Sequence, residues 1–165
     1  MPILPIVIFD FDLKSDLQNW KIVNDSVMGG ISKSSFHLNS EGEGNFEGTV
    51  SLANNGGFCA VKYVFEKVSL SRTSQFSIRI KGDGKTYQFR VKSNNNDSHS
   101  YVFAFKTDSS WQNIEIPFAE LKPAFRGRQL ELPPFDGEAV AEITFLIGNK
   151  IEESFLLQID CITVS

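Results

Sequence analysis

Histidine and cysteine are scarce in this chain, with two of each among 165 residues. Neither His37 nor His99 lies near a cysteine or in an HxxH-type spacing, so the ligand pattern of a zinc site is missing and no metal is expected. Cys59 and Cys161 stand far apart, each in a strand-like run. A chain of this length needs no disulfide to hold its core, so both are expected to be buried free thiols. There is no excess of positive charge: 16 Lys and Arg stand against 20 Asp and Glu, for a net charge of -4. That balance argues against a nucleic-acid binder, which needs a basic face to displace counterions. No apolar run reaches membrane-spanning length. The N-terminal run Met1–Phe9 is apolar but short, lacks a basic leader and a small-residue cleavage site, and is interrupted at once by Asp10 and Asp12. It reads as a first strand, and the expectation is a soluble, cytoplasmic protein.

Phenyl rings are abundant by contrast. Fifteen Phe stand against two Trp and three Tyr, and Phe has no polar handle, so these rings favour a dry core. The length suits one domain, residues 1–165. The dominant hydrophobic period is two. Phe76, Ile78 and Ile80 alternate with Ser77, Arg79 and Lys81; Tyr87, Phe89 and Val91 alternate with Gln88, Arg90 and Lys92. Tyr101, Phe103 and Phe105 form a third set, and Phe155, Leu157, Ile159 and Cys161 a fourth. Further strands are expected over Ile6–Phe11, Ser32–Leu38, Phe46–Leu52, Cys59–Phe65, Gln112–Ile116 and Ile143–Ile147. Turn signals at short, even intervals separate these runs and predict an all-β sandwich or jelly roll. Very little helix is expected: one turn at Phe118–Leu121 before Pro123, and one over Leu13–Trp20 with Ser15 as its cap. The longest loop runs from Lys122 to about Gly137.

Few residue groups invite a chemical reading. Trp20…Asn24-Asp25-Ser26-Val27-Met28-Gly29-Gly30 and Asn54-Asn55-Gly56-Gly57 form two Asn/Gly corners. Gly29, Gly30, Gly56 and Gly57 are expected in backbone conformations closed to other residues. Asn24, Asp25, Asn54 and Asn55 can satisfy loop backbone groups, with Trp20 and Met28 packed against the loops. The other reading is a polar cleft in which Asp25, Asn54 and Asn55 hydrogen-bond a sugar or a peptide. Asp10 and Asp12 share one side of a strand, an arrangement open to acid/base work or to plain solvation. Lys81-Gly82-Asp83-Gly84-Lys85 reads as a hairpin turn rather than a phosphate loop, because no helix follows it. If that hairpin pairs its flanking strands, Arg79, Lys81, Arg90 and Lys92 make one cationic patch. Arg126 and Arg128, in the long loop, would add two guanidiniums for a carboxylate, a phosphate or an acidic partner. His99 lies in a polar loop, and Asn94–Asp97 and Asp83 read as turns rather than a calcium site.

The run Trp20…Asn24-Asp25-Ser26-Val27-Met28-Gly29-Gly30-Ile31-Ser32 resembles the opening motif of the complex I intermediate-associated protein 30 family. The likeness continues through Phe46-Glu47-Gly48-Thr49-Val50-Ser51-Leu52, Asn54–Phe58, Gly82-Asp83-Gly84…Tyr87, Trp111…Ile116-Pro117-Phe118, Phe125–Arg128 and Ile147-Gly148…Ile162. It implies a galactose-binding-like jelly-roll β-sandwich, related in shape to carbohydrate-binding modules. It also implies a non-catalytic scaffold like the family's respiratory complex I assembly factors, with a protein partner such as a subunit of a membrane complex, and no cofactor. Without a transit peptide or long N-terminal extension, the chain looks like a bare, bacterial, single-domain version. Two other readings remain. One is a glycan-binding module using Trp111 or Tyr101 as a stacking face. The other is a small hydrolase or isomerase using Asp25 or the Asp10/Asp12 pair.

Overall fold

A computed structural model describes residues 4–165, apart from the side chains of Val27 and Met28. Two antiparallel sheets pack face to face. One sheet takes strands β1 (Ile6–Asp10), β3 (Lys33–Leu38), β4 (Gly44–Val50), β6 (Gln75–Lys81), β9 (Trp111–Pro117) and β13 (Glu153–Val164). Its order is β3-β4-β13-β6-β9, with β1 paired to the end of β13. The other takes β2 (Trp20–Ile22), β5 (Cys59–Ser69), β7 (Thr86–Lys92), β8 (Ser100–Lys106), β10 (Lys122–Phe125), β11 (Arg128–Gln129) and β12 (Ala139–Ile147). Its order is β11-β10-β8-β7-β12-β5-β2. Helix is confined to three short 3₁₀ turns, at Asp25–Met28, Ala53–Asn55 and Phe118–Glu120.

The period-two residues face inward as expected. Phe46, Phe76, Tyr87, Phe89 and Phe145 are fully buried between the sheets. Each such side chain contributes about 1.5–3 kcal/mol of hydrophobic stabilisation. Phe76 links the sheets, with its ring centroid 5.3 Å from both Phe89 and Phe118. Trp20 is buried at one edge, stacked on Tyr63 at 4.8 Å and against Phe36 at 4.9 Å, which pins β2 to β3 and β5.

Four local expectations are corrected. A bulge between Ile159 and Cys161 reverses the inward side of β13, so Ile162 and Val164 enter the core and Cys161 is only half-buried. Cys59 is buried and free, and burial pushes its thiol up to about 11. Leu13–Trp20 forms no helix: Ser15 Oγ accepts from the Asp12 N–H at 2.8 Å and closes a turn instead. Asp12 therefore lies beyond the end of β1 and does not share a strand face with Asp10. The expected 122–137 loop holds β10 and β11, a short hairpin added to the sheet edge.

The most consequential correction concerns Gly82-Asp83-Gly84. These residues are not a hairpin. β6 and β7 lie in different sheets, and the segment between them crosses from one to the other. Gly82 is required by space there, since a Cβ would stand 2.2 Å from the Thr107 side chain. Asp83 bolts the layers together: it accepts from Tyr87 Oη of β7 at 2.9 Å and from the Leu156 N–H of β13 at 2.9 Å. Arg79 and Lys81 therefore share no patch with Arg90 and Lys92.

Candidate functional site

The two Asn/Gly corners meet around the Asp25 carboxylate. Asp25 is fully buried. Its Oδ2 accepts from the Gly57 N–H at 2.7 Å and the Ser32 hydroxyl at 2.5 Å, and its Oδ1 accepts from the Ser32 N–H at 3.0 Å. The Phe58 N–H adds a long contact at 3.4 Å. Burial alone would raise the Asp25 carboxyl. The bonds from the Ser32 hydroxyl and from the Gly57, Ser32 and Phe58 N–H groups outweigh it, and its pKa lies below the ordinary aspartate value.

The four corner glycines divide into two kinds. Gly29 (φ +90°) and Gly57 (φ +142°) occupy backbone conformations that side chains disfavour. Gly30 and Gly56 are needed for space, because a Cβ on either would stand 2.4 Å from the Asp25 carboxylate group. Asn24 extends the clamp: its Oδ1 accepts from Ser34 Oγ at 2.8 Å. Asp25 and Asn24 thus hold the loops from beneath. Asn54 and Asn55 are exposed above them in left-handed conformations, φ 56° and 60°. The expectation about Met28 falls on a side chain outside the described residues.

The second of those loops, with Leu52 and Asn55–Phe58, forms one wall of a groove of about 1140 Å³ on the outer face of the seven-stranded sheet. Its floor follows from strand register. Lys62 of β5 lies opposite Thr144 of β12, and Thr144 opposite Arg90 of β7. Arg90 lies opposite Val102 of β8, and Val102 opposite Lys122 of β10. One row of side chains therefore crosses five strands and carries three cations. The opposite wall is the β10–β11 turn, with Arg126 and Gly127.

The groove's charge is opposite in sign to the chain's. Lys62, Arg90, Lys92, Lys122, Arg126 and Lys150 line it and its continuation over β8 and β10, against a single carboxylate, Glu142. Glu142 is buried, 3.8 Å from Lys62 Nζ and 3.9 Å from Lys92 Nζ. Arg90 is held differently. Its Nε and Nη2 donate to Gln88 Oε1 at 2.9 and 2.6 Å, and among the described residues no carboxylate lies within ion-pair distance. Burial lowers the Arg90 pKa, but a guanidinium remains charged at neutral pH.

Of the residues expected to bind, Asn55, Arg90 and Arg126 line this groove. Arg128 projects from the edge strand β11, and Arg79 lies on the opposite sheet. There Arg79 pairs with Asp160 at 3.2 Å and sits 5.1 Å from the Trp111 ring centroid. Tyr101 turns away from the groove to pack on Phe135. Sequence reasoning missed Lys62, Glu142, Lys122 and Lys150 as groove residues. Glu142, a carboxylate inside the apolar run Val140–Ile147, was the available signal.

The fold is a jelly-roll β-sandwich of the galactose-binding-like class, with a polar groove on one sheet. Within that class, the family model of Complex I intermediate-associated protein 30 (CIA30) matches residues 9–159, and the chain belongs to this family. It is 25% identical to mouse mitochondrial Complex I intermediate-associated protein 30 over 96% of its own length and 55% of the mouse protein. The chain thus spans about half of that relative. It is 28% identical to an uncharacterized Schizosaccharomyces pombe protein, over 80% of this chain and 69% of that one. Among solved structures, the family 11 carbohydrate-binding module of the Clostridium thermocellum cellulase Lic26A-Cel5E superposes with a TM-score of 0.73. The two are 20% identical, and the match covers 99% of this chain and 95% of the module. That likeness is one of fold.

Proposed function

We propose that this chain is a non-catalytic binding module that holds a protein partner during assembly of a respiratory membrane complex. The observation that carries the reading is the groove: a preformed, cationic surface on an acidic domain of the CIA30 family. Three carboxylates, Asp25, Glu142 and Asp83, have structural partners. Asp25 is buried beneath the loops with a lowered pKa, whereas a general acid needs a raised one. Glu142 is paired with lysines, and Asp83 fastens the sheets. That favours binding over hydrolase or isomerase chemistry. A glycan module would need an aromatic stacking face, and among the described residues Phe58 is the one aromatic lining the groove. Among the described residues no helix is long and apolar enough to cross a membrane.

Affinity capture of the tagged chain from detergent-solubilised membranes of its own host tests this reading. Enrichment of respiratory-complex subunits over a tagged, unrelated β-sandwich is expected. Equal recovery from both baits, with the chain folded, would overturn it.

A further inference from the structure

The groove's charge and shape specify more than a generic partner surface. Resting on the protein-partner reading above, we infer that the groove takes an acidic, extended segment of a partner polypeptide, laid across the strands with Arg90 as its central anchor.

Three observations carry this. The first is charge complementarity. A chain of net charge -4 gathers six cationic side chains and one carboxylate along one groove. Such a surface attracts carboxylates presented by a partner. The second is the state of Arg90. Gln88 Oε1 accepts from Nε and Nη2 along one edge of the guanidinium, and its remaining donors meet no acceptor among the described residues. A fixed, half-buried guanidinium with free donors is arranged for a forked bond to a carboxylate. Lys62 and Lys92 share Glu142 and Lys122 Nζ donates to the Ala119 carbonyl at 3.0 Å, so Arg90 is the floor cation whose donors are left for a ligand to satisfy.

The third is geometry. The row Lys62–Thr144–Arg90–Val102–Lys122 crosses five adjacent strands, which at about 4.8 Å per spacing is about 19 Å. An extended peptide of about six residues covers that distance. Leu146, Val102 and Ala104 supply apolar floor between the charges for the peptide's backbone and methylenes. The rim residues Asn55, Arg126 and Lys150 take left-handed turns at φ 60°, 50° and 62°, and at Arg126-Gly127 both positive φ values close the two-residue β10–β11 hairpin.

The test is fluorescence anisotropy with a dye-labelled decaglutamate peptide, with a neutral Gly/Ser decapeptide and oligogalacturonate as competitors. Decaglutamate is expected to bind, to lose affinity steeply between 50 and 300 mM salt as exposed charge pairs are screened at about these concentrations, and not to be displaced by the neutral peptide. Arg90→Gln should weaken it at least about tenfold, the size of one lost charge-assisted bond. Lys81→Gln, on the opposite sheet, should leave it unchanged. The double variant Lys62→Gln/Lys122→Gln should also weaken binding, and serves if Arg90→Gln melts below the wild type. Equal affinity in Arg90→Gln, the double variant and Lys81→Gln would overturn the assignment. So would oligogalacturonate binding more tightly than decaglutamate, which would give the groove to an acidic glycan. Host subunits captured equally by wild type and Arg90→Gln would defeat this inference while leaving the partner-binding reading intact. Decaglutamate binding without any host protein captured would do the reverse.

Discussion

Asp25 and Gly57, 32 residues apart, meet at one end of the sandwich. The Gly57 N–H donates to Asp25 Oδ2 at 2.7 Å, and this bond ties the first Asn/Gly corner to the second, which forms one wall of the groove. Removing the carboxylate strands buried donors. Asp25→Ala is therefore expected to cost about 3–5 kcal/mol, because an unmade bond to a buried charge site costs more than an average hydrogen bond contributes. Urea denaturation at neutral pH measures it.

The same carboxylate predicts a pH dependence. Its folded-state pKa lies below the unfolded value of about 3.9. The unfolded state then binds more protons, so the contribution is full above roughly pH 5 and is lost as pH falls below about 4 toward the folded value. The stability gap between wild type and Asp25→Asn should shrink over that acid range and stay constant from pH 6 to 8. A gap that stays constant into acid would contradict the lowered value.

Gly29 and Gly30 are adjacent but predict different costs. Gly29→Ala meets open space and bears only the strain of φ +90°, about 1 kcal/mol. Gly30→Ala places a Cβ 2.4 Å from Asp25 Cγ, so it should cost about 3 kcal/mol by overpacking and by displacing the carboxylate. Thermal melts of the two variants give the order.

Asp83 joins the layers through Tyr87 and Leu156. Asp83→Ala leaves a buried phenol and a strand N–H without their acceptor, and about 2–3 kcal/mol should be lost. Asp83→Asn keeps a carbonyl acceptor and should recover part of it.

The strands and the sandwich class were legible because alternation survives every choice of partner. Phe76, Ile78 and Ile80, or Tyr87, Phe89 and Val91, point inward whichever sheet they join. Sheet membership is another matter. Arg79 and Arg90 flank a glycine turn that looks the same as a hairpin or as a crossing, and the two are distinguished only by long-range pairing: β6 with β13 and β9, β7 with β12 and β8. The groove was harder still. Its floor depends on β12 lying between β5 and β7, a register among strands distant in sequence, so Lys62, Thr144 and Arg90 become neighbours with no local sign of it. β2, β10 and β11 are too short to show a period. The Asn/Gly corners were visible as motifs, yet the pattern does not reveal that Asp25 lies under the loops while Asn55 lies on the groove.

Arg126 and Arg128 separate the groove from the edge beside it. Arg126 lines the groove wall and Arg128 projects from β11 outside it. Arg126→Ala should reduce partner capture several-fold, roughly the effect of one exposed charge contact, and Arg128→Ala should leave capture near wild type. Quantitative mass spectrometry of the captured subunits reads both.

Lysine-protection footprinting of the captured complex tests the central claim most directly, because the groove carries its own reporters. Lys62, Lys92, Lys122 and Lys150 line it, while Lys33 and Lys81 lie on the six-stranded sheet. Amine labelling of the chain with and without its partner should show the four groove lysines protected and the other two unchanged. Protection of Lys33 and Lys81 with the groove lysines still reactive would place the partner on the other sheet and contradict the account.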